Sequence, residues 1–547
     1  MAIGLARGSF TRPTQQTAQV VTVQAPTSGI DVRSPAGNMS EENCLYTYNF
    51  EPAEYGMLLR TGYREWAIDV ESAPGAGDGI RSIITFEGVE DGPIDDRLFA
   101  VTREGIWNVT DYDTPPSQEI VFADQGANAG FGVYCHYIDQ SGEDFLLYAD
   151  SKNGLFEYTS SLNTWAQATN ISGPTIENIA FVVVHKQRLW MIEENSTSAW
   201  YLPVASKNGQ ATQFFFGSKF AHGGELRGLY NWTIDGGDGI DDRLVALSSS
   251  GDVIPYTGDD PSSADSWQVV GSYYIGALPK GRNVAGAMAG DLYFLCSYGL
   301  IAMDDLIRGT TNLYDAESGL AFKISRPLRQ QLATDKDKYG WEPKFLPSQG
   351  VLIITTPPFI NRPAVQYTLN VATRSWGYWR DVPMTAMDEW DGKIFFGDSN
   401  NRILVMDVTR DNVLINQELP NGSGVPIQFS MLTSYQKYGT PGQFKTVQYI
   451  RPDFVGIQPP AYTIKARYDY DVTELQNITK PPLPEGTGWD VGIWDSDVWS
   501  GDTLVNYSQA QGSGGLGRSI AIALKGEASD VLRLLSFDVV FTSGGPM

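Results

Sequence analysis

A short two-strand pattern recurs along this chain, and it constrains the fold more than any other feature. Residues 91–101 (DGPIDDRLFAV) are echoed by residues 238–247 (DGIDDRLVAL), and each runs through a Gly-bearing turn into a second apolar stretch. Weaker copies follow, and one apolar residue marks each unit: Leu98, Leu146, Leu189, Leu244, Leu292, Leu352 and Ile394. These positions are 48, 43, 55, 48, 60 and 42 residues apart. Short strands repeated about every 40–50 residues are typical of β-propeller blades, so the sequence predicts a propeller of six or seven blades.

Two of the copies also place a tryptophan where a propeller would need one. Tyr158 is followed by Trp165, and Tyr367 by Trp376. This spacing resembles the outer part of a kelch-type blade, in which the indole packs between neighbouring sheets. The Gly-Gly doublet of kelch repeats is missing, so we interpret the likeness as shared geometry. A large β-sandwich with coincidental hairpins is the alternative fold.

The hairpin pattern divides the chain into three parts. With 57 Gly, 30 Pro and 12% aromatic residues, the composition suits short strands and tight turns, and we predict an all-β fold. Residues 76–412 are assigned to the propeller, with a helix-bearing insertion at about 307–339. Residues 1–75 and 413–547 are assigned to a flanking, β-sandwich-like platform domain, because the strand patterns after Val425 alternate without the repeat.

The net charge of −25 limits the partners that the chain can hold tightly. Binding to nucleic acid depends on Lys and Arg that displace counterions from phosphate, and here 64 acidic residues outnumber 39 basic ones. The first residues lack the apolar core of a secretory signal, and apolar runs such as 179–184 are too short to span a bilayer. Three scattered cysteines argue against a disulfide framework. We expect synthesis in the cytoplasm and no stable membrane insertion.

The sequence offers few groups for catalysis. Of its three histidines, His136 and His185 lie inside strand patterns, where a structural role is the simpler interpretation, and His222 lies in a Gly-rich turn. We find no zinc motif, P-loop, nucleophile elbow or dinucleotide-binding motif. The acidic loops 90–96 and 235–242 do not match the EF-hand pattern, and we interpret them as solvated turns. We therefore predict no catalytic, cofactor-binding or metal-binding residues, and a protein that is not an enzyme.

One enzymatic alternative stays open, because carboxylates are abundant enough to supply a glycosidase pair. The sialidase-type Asp box does not occur, and residues 160–165 are its nearest approach. Three tryptophans spaced five residues apart would also suit a sugar-stacking surface: Trp489, Trp494 and Trp499. The aspartates beside them favour a contact between subunits instead.

The N-terminal region resembles a known family. Residues 28–33 (SGIDVR), 48–52 (YNFEP) and 56–63 (GMLLRTGY) are similar to the N-terminal signature of the tail nozzle, or tail tubular, proteins of short-tailed bacteriophages. This family includes packaged-DNA-stabilisation subunits. Its signature reads as an Asp/Arg pair, then Asn-x-x-Pro, then Gly-x-x-x-Arg-x-Gly-Tyr. The tryptophan-rich segment 489–499, the last strand patterns and the helix-bearing insertion also look similar to family members.

This resemblance implies a structural role in a virion. The family implies a six-bladed propeller, a platform facing the head, and a hexameric ring around a DNA channel that retains packaged DNA and releases it during ejection. It also implies a location in the viral tail, contacts with the tail adaptor protein and with fibres or spikes, and transient passage of double-stranded DNA without tight binding. The alternative function is that of a glycan-binding or glycan-degrading propeller that attaches the particle to its host.

Two loops are our candidates for a constriction in such a channel. An acidic wall repels a duplex within about one Debye length, roughly 8 Å at physiological salt, so retention would need a physical narrowing. Each loop carries one isolated basic residue suited to a light contact with phosphate. The candidate residues are Pro357, Pro358, Phe359 and Arg362 in the first loop, and Lys219 and His222 in the second.

Overall fold

The computed structural model describes residues 18–88, 95–235, 240–309, 320–357, 365–415, 424–439, 441–478 and 504–544. Nearly all regular elements in these ranges are β-strands, which confirms the all-β prediction. The α-helices there are Met303–Ile307 (α1) and Ser325–Asp335 (α2), and the 3₁₀ helices are Ser160–Leu162, Ile176–Asn178, Gly217–Lys219 and Phe322–Ile324. In these ranges, we find no helix that combines the length and the apolar character needed to cross a membrane.

The first strands of the chain serve two different parts of the fold. Four of them lie in the platform: Gln19–Gln24 (β1), Cys44–Tyr48 (β2), Phe50–Pro52 (β3) and Met57–Leu59 (β4). The fifth, Gly62–Ala67 (β5), lies in the propeller.

Six small sheets are arranged as the blades of a β-propeller, and the first three follow one another directly along the chain. Blade one contains Ser82–Phe86 (β6), Arg97–Thr102 (β7), Gly105–Asn108 (β8) and Ser117–Val121 (β9). Blade two contains Val133–Ile138 (β10), Asp144–Asp150 (β11), Gly154–Thr159 (β12) and Thr164–Gln167 (β13). Blade three contains Ile179–His185 (β15), Arg188–Glu193 (β16), Ser198–Tyr201 (β17) and Thr212–Phe215 (β19), and Ile171–Ser172 (β14) pairs separately with Gly209–Gln210 (β18).

Blades four and five continue the ring. Blade four contains Leu226–Asp235 (β20), Ile240–Ser248 (β21), Asp252–Thr257 (β22), Gln268–Val269 (β23) and Tyr273–Tyr274 (β24). Blade five contains Ala285–Met288 (β25), Asp291–Cys296 (β26) and Gly299–Ala302 (β27). Helix α2 packs against β27, at the place where other blades carry their fourth strand, and its Leu328 and Leu332 are buried. The helix-bearing insertion therefore covers the edge of the three-stranded blade.

A four-stranded meander between blade five and the last blade is shared with the platform. This shared meander contains Glu342–Leu346 (β28), Val351–Thr355 (β29), Val365–Asn370 (β30) and Ser375–Arg380 (β31). Its first strand contacts β25 of blade five, so the meander occupies a position in the ring. Its last strand pairs with β2 of the platform, which makes it the first half of an eight-stranded sheet. Propeller and platform are thus joined by one continuous sheet.

The last blade closes the ring with strands from both ends of the chain. This closing blade contains Ala386–Trp390 (β32), Lys393–Gly397 (β33), Ile403–Val408 (β34) and, as its outer strand, β5. Its first strand contacts both β28 and β6. The assignment of residues 1–75 to the platform is therefore wrong for β5. The pairing of β5 with β34 ties the beginning of the propeller to its end, which keeps the ring from opening.

The platform is built from both ends of the chain, as predicted. Its later strands are Ile427–Thr433 (β35), Lys445–Gly456 (β36), Ala461–Tyr468 (β37), Val505–Tyr507 (β38), Gln511–Gly512 (β39), Ile520–Ala528 (β40) and Leu532–Ser543 (β41). One layer is the second half of the shared sheet, in the order β2-β35-β40-β37, and the other is the seven-stranded sheet around β41 and β36. Phe429 of the first layer packs on Phe454 of the second, with ring centroids 6.3 Å apart.

The repeat found in the sequence has a uniform place in this fold. All seven apolar markers lie in the second strand of their unit, and all are buried. Trp165 of blade two packs edge-on against Phe99 of blade one, with ring centroids 5.2 Å apart. The indole therefore lies between neighbouring sheets, as its spacing from Tyr158 predicts. The structure confirms the propeller and excludes the single large sandwich.

Candidate functional site

The first strands of the units surround a central channel that contains a cavity of about 410 Å³. Its walls come from blades one, two and five, the shared meander and the closing blade. The residues that line the cavity include Ser82, Tyr134, His136, Asn283, Glu342, Lys344 and Met387.

One end of the channel is narrowed by aromatic side chains. Phe131 precedes blade two and Tyr339 precedes the shared meander, and their ring centroids lie 5.4 Å apart across the channel. The Arg81 guanidinium lies 5.2 Å from the Phe131 ring. Nearby, the Asn283 amide donates a hydrogen bond of 3.2 Å to the Gly132 carbonyl. About 20 Å³ of free space remains at this end, which is close to the room that one water molecule needs.

A charged cluster crosses the channel above this narrow end. The Lys344 ammonium of the shared meander lies 2.5 Å from Asp388 Oδ2 of the closing blade. The Tyr134 hydroxyl of blade two donates to the same oxygen, also over 2.5 Å, and lies 3.1 Å from Thr85 Oγ1 of blade one. Burial and the Asp388 charge raise the pKa of the Tyr134 hydroxyl, so it stays protonated and acts as a donor. The cluster thus binds four units of the ring to one another.

Glu342 lies in the same cavity without such a partner. It precedes Lys344 by two residues, on the same face of β28, and its carboxylate has no hydrogen-bond donor among the described residues. Burial raises the pKa of Glu342 to about 7, although Lys344 lowers it and Asp388 raises it further. A carboxyl group with this pKa changes charge near neutral pH, which is unusual for glutamate.

The far end of the channel is open to solvent. His136 is exposed there, stacks on Phe86 with ring centroids 5.4 Å apart, and places Nε2 3.2 Å from the Thr85 carbonyl oxygen. Burial raises the pKa of the neighbouring Cys135 thiol to about 12, so this group is not a thiolate at neutral pH. The described residues contain no group of three or more His, Cys, Asp or Glu side chains suited to hold a metal ion. The cavity is therefore best described as a polar binding pocket with one ionisable carboxylate.

Of the residues predicted to narrow a DNA channel, the described ones, Lys219, His222 and Pro357, do not line this cavity. Lys219 is exposed at the end of a 3₁₀ helix between blades three and four. His222 follows it, places Nδ1 2.7 Å from Asp252 Oδ1, and stacks on Tyr274 at 3.9 Å. Pro357 is buried just after β29. Several predicted residues lie outside the described part of the chain, and their roles stay predictions: Pro358, Phe359, Arg362, Trp489, Trp494 and Trp499.

Sequence reasoning missed the channel cluster. Tyr134 and Asp388 are 254 residues apart and meet only because the ring brings their strands together. A local signal existed: Glu342 and Lys344 alternate with apolar residues in a strand that would otherwise be read as buried.

The residues of the N-terminal signature form the joint between platform and propeller. Arg60 is buried and makes a bidentate pair with Asp411, with Nη1–Oδ1 and Nη2–Oδ2 distances of 2.7 and 2.6 Å. Its Nε donates to Asn49 Oδ1 at 3.0 Å. Burial raises the pKa of Asp411, whereas the Arg60 charge lowers it. This pair connects the end of the platform strands to the segment that leaves the closing blade.

The other signature residues fit tightly at the same joint. Asn49 adopts φ of 64°, donates to the Gln428 carbonyl at 2.7 Å and accepts from the Arg380 backbone N–H at 2.8 Å. A Cβ on Gly62 would lie 2.2 Å from the Arg410 carbonyl oxygen, so only glycine allows this approach of the two backbones. Tyr63 packs edge-on against Phe396 of the closing blade.

Among known proteins, only solved structures are found to be similar to this chain. No family model matches the sequence, and no curated protein matches it. The WD40 β-propeller domain of Doa1 covers 63% of this chain and 97% of its own, at 12% identity and a TM-score of 0.36. U3-55K covers 60% and 95%, at 9% identity and a TM-score of 0.34. The computationally designed Ika8 protein covers 63% and 99%, at 9% identity and a TM-score of 0.32. From the arrangement of its own sheets, the chain is a β-propeller joined to a two-layered β platform.

Proposed function

We propose that this chain is a non-enzymatic structural subunit of a bacteriophage tail, of the nozzle type. In this role it forms a hexameric ring around the DNA channel in the virion, retains packaged DNA and releases it during ejection. It is synthesised in the host cytoplasm and contacts the tail adaptor protein and fibres or spikes. The observation that carries the proposal is the role of the signature residues. Asn49, Arg60, Gly62 and Tyr63, which carry the resemblance, build the joint that fixes the propeller on the platform.

The proposal requires that DNA pass between subunits and not through a single propeller. The propeller channel is crossed by the Lys344–Asp388 pair and narrowed by Phe131 and Tyr339. The major groove of B-DNA alone is about 12 Å wide, so a duplex does not fit beside these contacts. A ring of several copies, with the propellers or platforms as its wall, supplies the wider opening.

The wall of such a ring should repel DNA, and we expect correspondingly weak binding. With a net charge of −25, we expect few contacts between the protein and phosphate groups. In a tight complex, each such contact would add about 0.9 to the slope of log affinity against log salt concentration. Titration of linear duplex into the purified protein, at low and at moderate salt, should show weak binding with a shallow slope. Tight binding that falls steeply with salt would contradict a low-friction conduit.

Electron microscopy tests the assembly itself. We expect the isolated chain to be largely monomeric at low salt, since like-charged subunits repel one another. Antibodies against the chain should label the tip of the viral tail, where end-on views should show an annulus of six copies. Labelling of the head or of lateral spikes, or a stable ring formed by the isolated chain, would contradict the proposed assembly.

A glycan-processing function is the second candidate, and one observation favours it. The Asp388 charge acts on Glu342, which lines the cavity and has a pKa of about 7, a value that suits a general acid. Against it, Asp388 is already bonded to Lys344 and Tyr134. Incubation with host polysaccharide discriminates the two functions. Release of reducing sugar by the wild type, and not by Glu342→Gln, would favour the enzyme over the structural subunit.

A further inference from the structure

The channel cavity holds one more negative charge than its own side chains neutralise. Lys344 lies 2.5 Å from Asp388 and is committed to it. Glu342 faces the same space and has no hydrogen-bond donor among the described residues. A half-buried carboxylate without a hydrogen-bond donor is costly to keep charged, and the cost is relieved either by a proton or by a bound cation. This imbalance concerns the interior of the propeller and is independent of the joint with the platform.

The shape and lining of the cavity favour an organic cation over a metal ion. Phe131 and Tyr339 narrow one end of the pocket, and solvent reaches the other end beside His136. Its volume of about 410 Å³ lies in the range of small-molecule sites. Apolar side chains form much of its wall, and the described residues offer no set of three metal-ligating groups. The apolar wall residues are Ile83, Val133 and Met387.

We propose that the propeller channel binds a small organic amine in its ammonium form, with Glu342 as the counter-ion. The ammonium group donates hydrogen bonds to the Glu342 carboxylate. Asn283 Oδ1 offers a second acceptor, because the amide nitrogen of the same side chain is held by the Gly132 carbonyl. The alkyl part of the ligand packs against the apolar wall. A charge-assisted hydrogen bond is about twice as strong as a neutral one.

The binding should depend on pH through the charge of Glu342. The charged or titratable groups around it are Lys344 on its own strand, Asp388 on β32, Tyr134, Cys135 and His136 on β10, and Arg81, Arg282 and Tyr339 at the aromatic end of the channel. Glu342 is ionised above its pKa of about 7 and neutral below it. An alkylamine stays protonated across this range, since its pKa is near the value of about 10.4 for lysine. Affinity should therefore be about tenfold higher at a pH of roughly 8.5 than at roughly 6.

Calorimetric titration of the full chain with n-butylamine tests the proposal. The matched pair of variants is Glu342→Gln and Glu177→Gln, because Glu177 is an exposed glutamate outside the channel. The wild type and Glu177→Gln should bind the amine saturably, and Glu342→Gln should bind it at least about tenfold more weakly. Unfolding curves should show that Glu342→Gln is folded, since the change removes an unpartnered charge and keeps the shape.

Three results would overturn the proposal. The first is an absence of binding by the wild type at millimolar amine. The second is equal binding by Glu342→Gln, which would place the ligand elsewhere. The third is complete displacement of the amine by potassium chloride at an ionic strength at which a salt of a bulky cation does not displace it. That result would identify a site for an inorganic cation. Failure of the amine to bind leaves the tail-subunit proposal untouched, because that proposal depends on assembly and not on the channel.

Discussion

Replacement of Arg60 by methionine is expected to lower the free energy of unfolding by about 3–5 kcal/mol, because it leaves the buried Asp411 carboxylate without its partner. Arg60 is fully buried at the joint and bonds Asp411 through both terminal nitrogens. The loss should shrink as the pH falls, since an unpaired, buried Asp411 takes up a proton in the folded state. Denaturant unfolding at neutral and acidic pH, followed by tryptophan fluorescence, measures both effects.

A double variant separates the broken ion pair from general damage at the joint. Arg60→Met combined with Asp411→Leu removes both charges, and apolar replacement of a buried pair is often close to neutral. The double variant should therefore recover much of the stability lost by Arg60→Met. Arg308→Ala is the surface control, because its pair with Asp304 is exposed, and it should change stability by less than about 0.5 kcal/mol. A double variant as unstable as the single one would show that the pair itself is not what stabilises the joint.

Replacement of Trp190 by alanine is expected to cost about 3–5 kcal/mol and to loosen the packing between blades three and four. The indole is fully buried and stacks on Trp267 of blade four at a centroid distance of 5.9 Å. Tyr201 and Phe216 contact its other sides, at 4.9 and 6.1 Å. Removal of the ring leaves a cavity that rigid strands cannot fill. Near-ultraviolet circular dichroism and denaturant unfolding report the loss.

The matched variant is Trp190→Phe, which keeps an aromatic ring at the same position. The Trp190 Nε1–H has no hydrogen-bond partner among the described residues, so phenylalanine removes an unsatisfied donor while it retains most of the contacts. It should cost clearly less than alanine. Leu162→Ala, on an exposed side chain, should have little effect. Equal losses for the phenylalanine and alanine variants would mean that the full indole, and not ring packing alone, holds the two blades together.

Much of the propeller was determined by local sequence. Leu98, Leu146 and the other five markers recur because each unit needs one buried residue at the same place in its second strand. The spacing of Trp165 from Tyr158 predicted that its indole lies between blades, where it contacts Phe99. The platform could be predicted from the sequence where the repeat ends, because apolar residues still alternate in that region but the two-strand pattern no longer recurs. These features depend on neighbours within one unit, and a single sequence records them.

Only the tertiary structure decided how the ring closes and what lies inside it. Strand β5 lies in the closing blade because β34 offers it a free edge.

 Periodicity carries no information about a pairing between Gly62 and Val408, which are 346 residues apart along the chain. The same holds for the Arg60–Asp411 pair, whose members are 351 residues apart.

The channel pocket is the clearest case of a feature that the sequence did not reveal. Tyr134, Lys344 and Asp388 lie in three different strands, and they meet only when the ring sets these strands side by side. The pattern of a strand determines which face is apolar, because that depends on alternation alone. Which charges then meet across the channel, and whether one of them is left without a partner, depends on the closure of the whole ring.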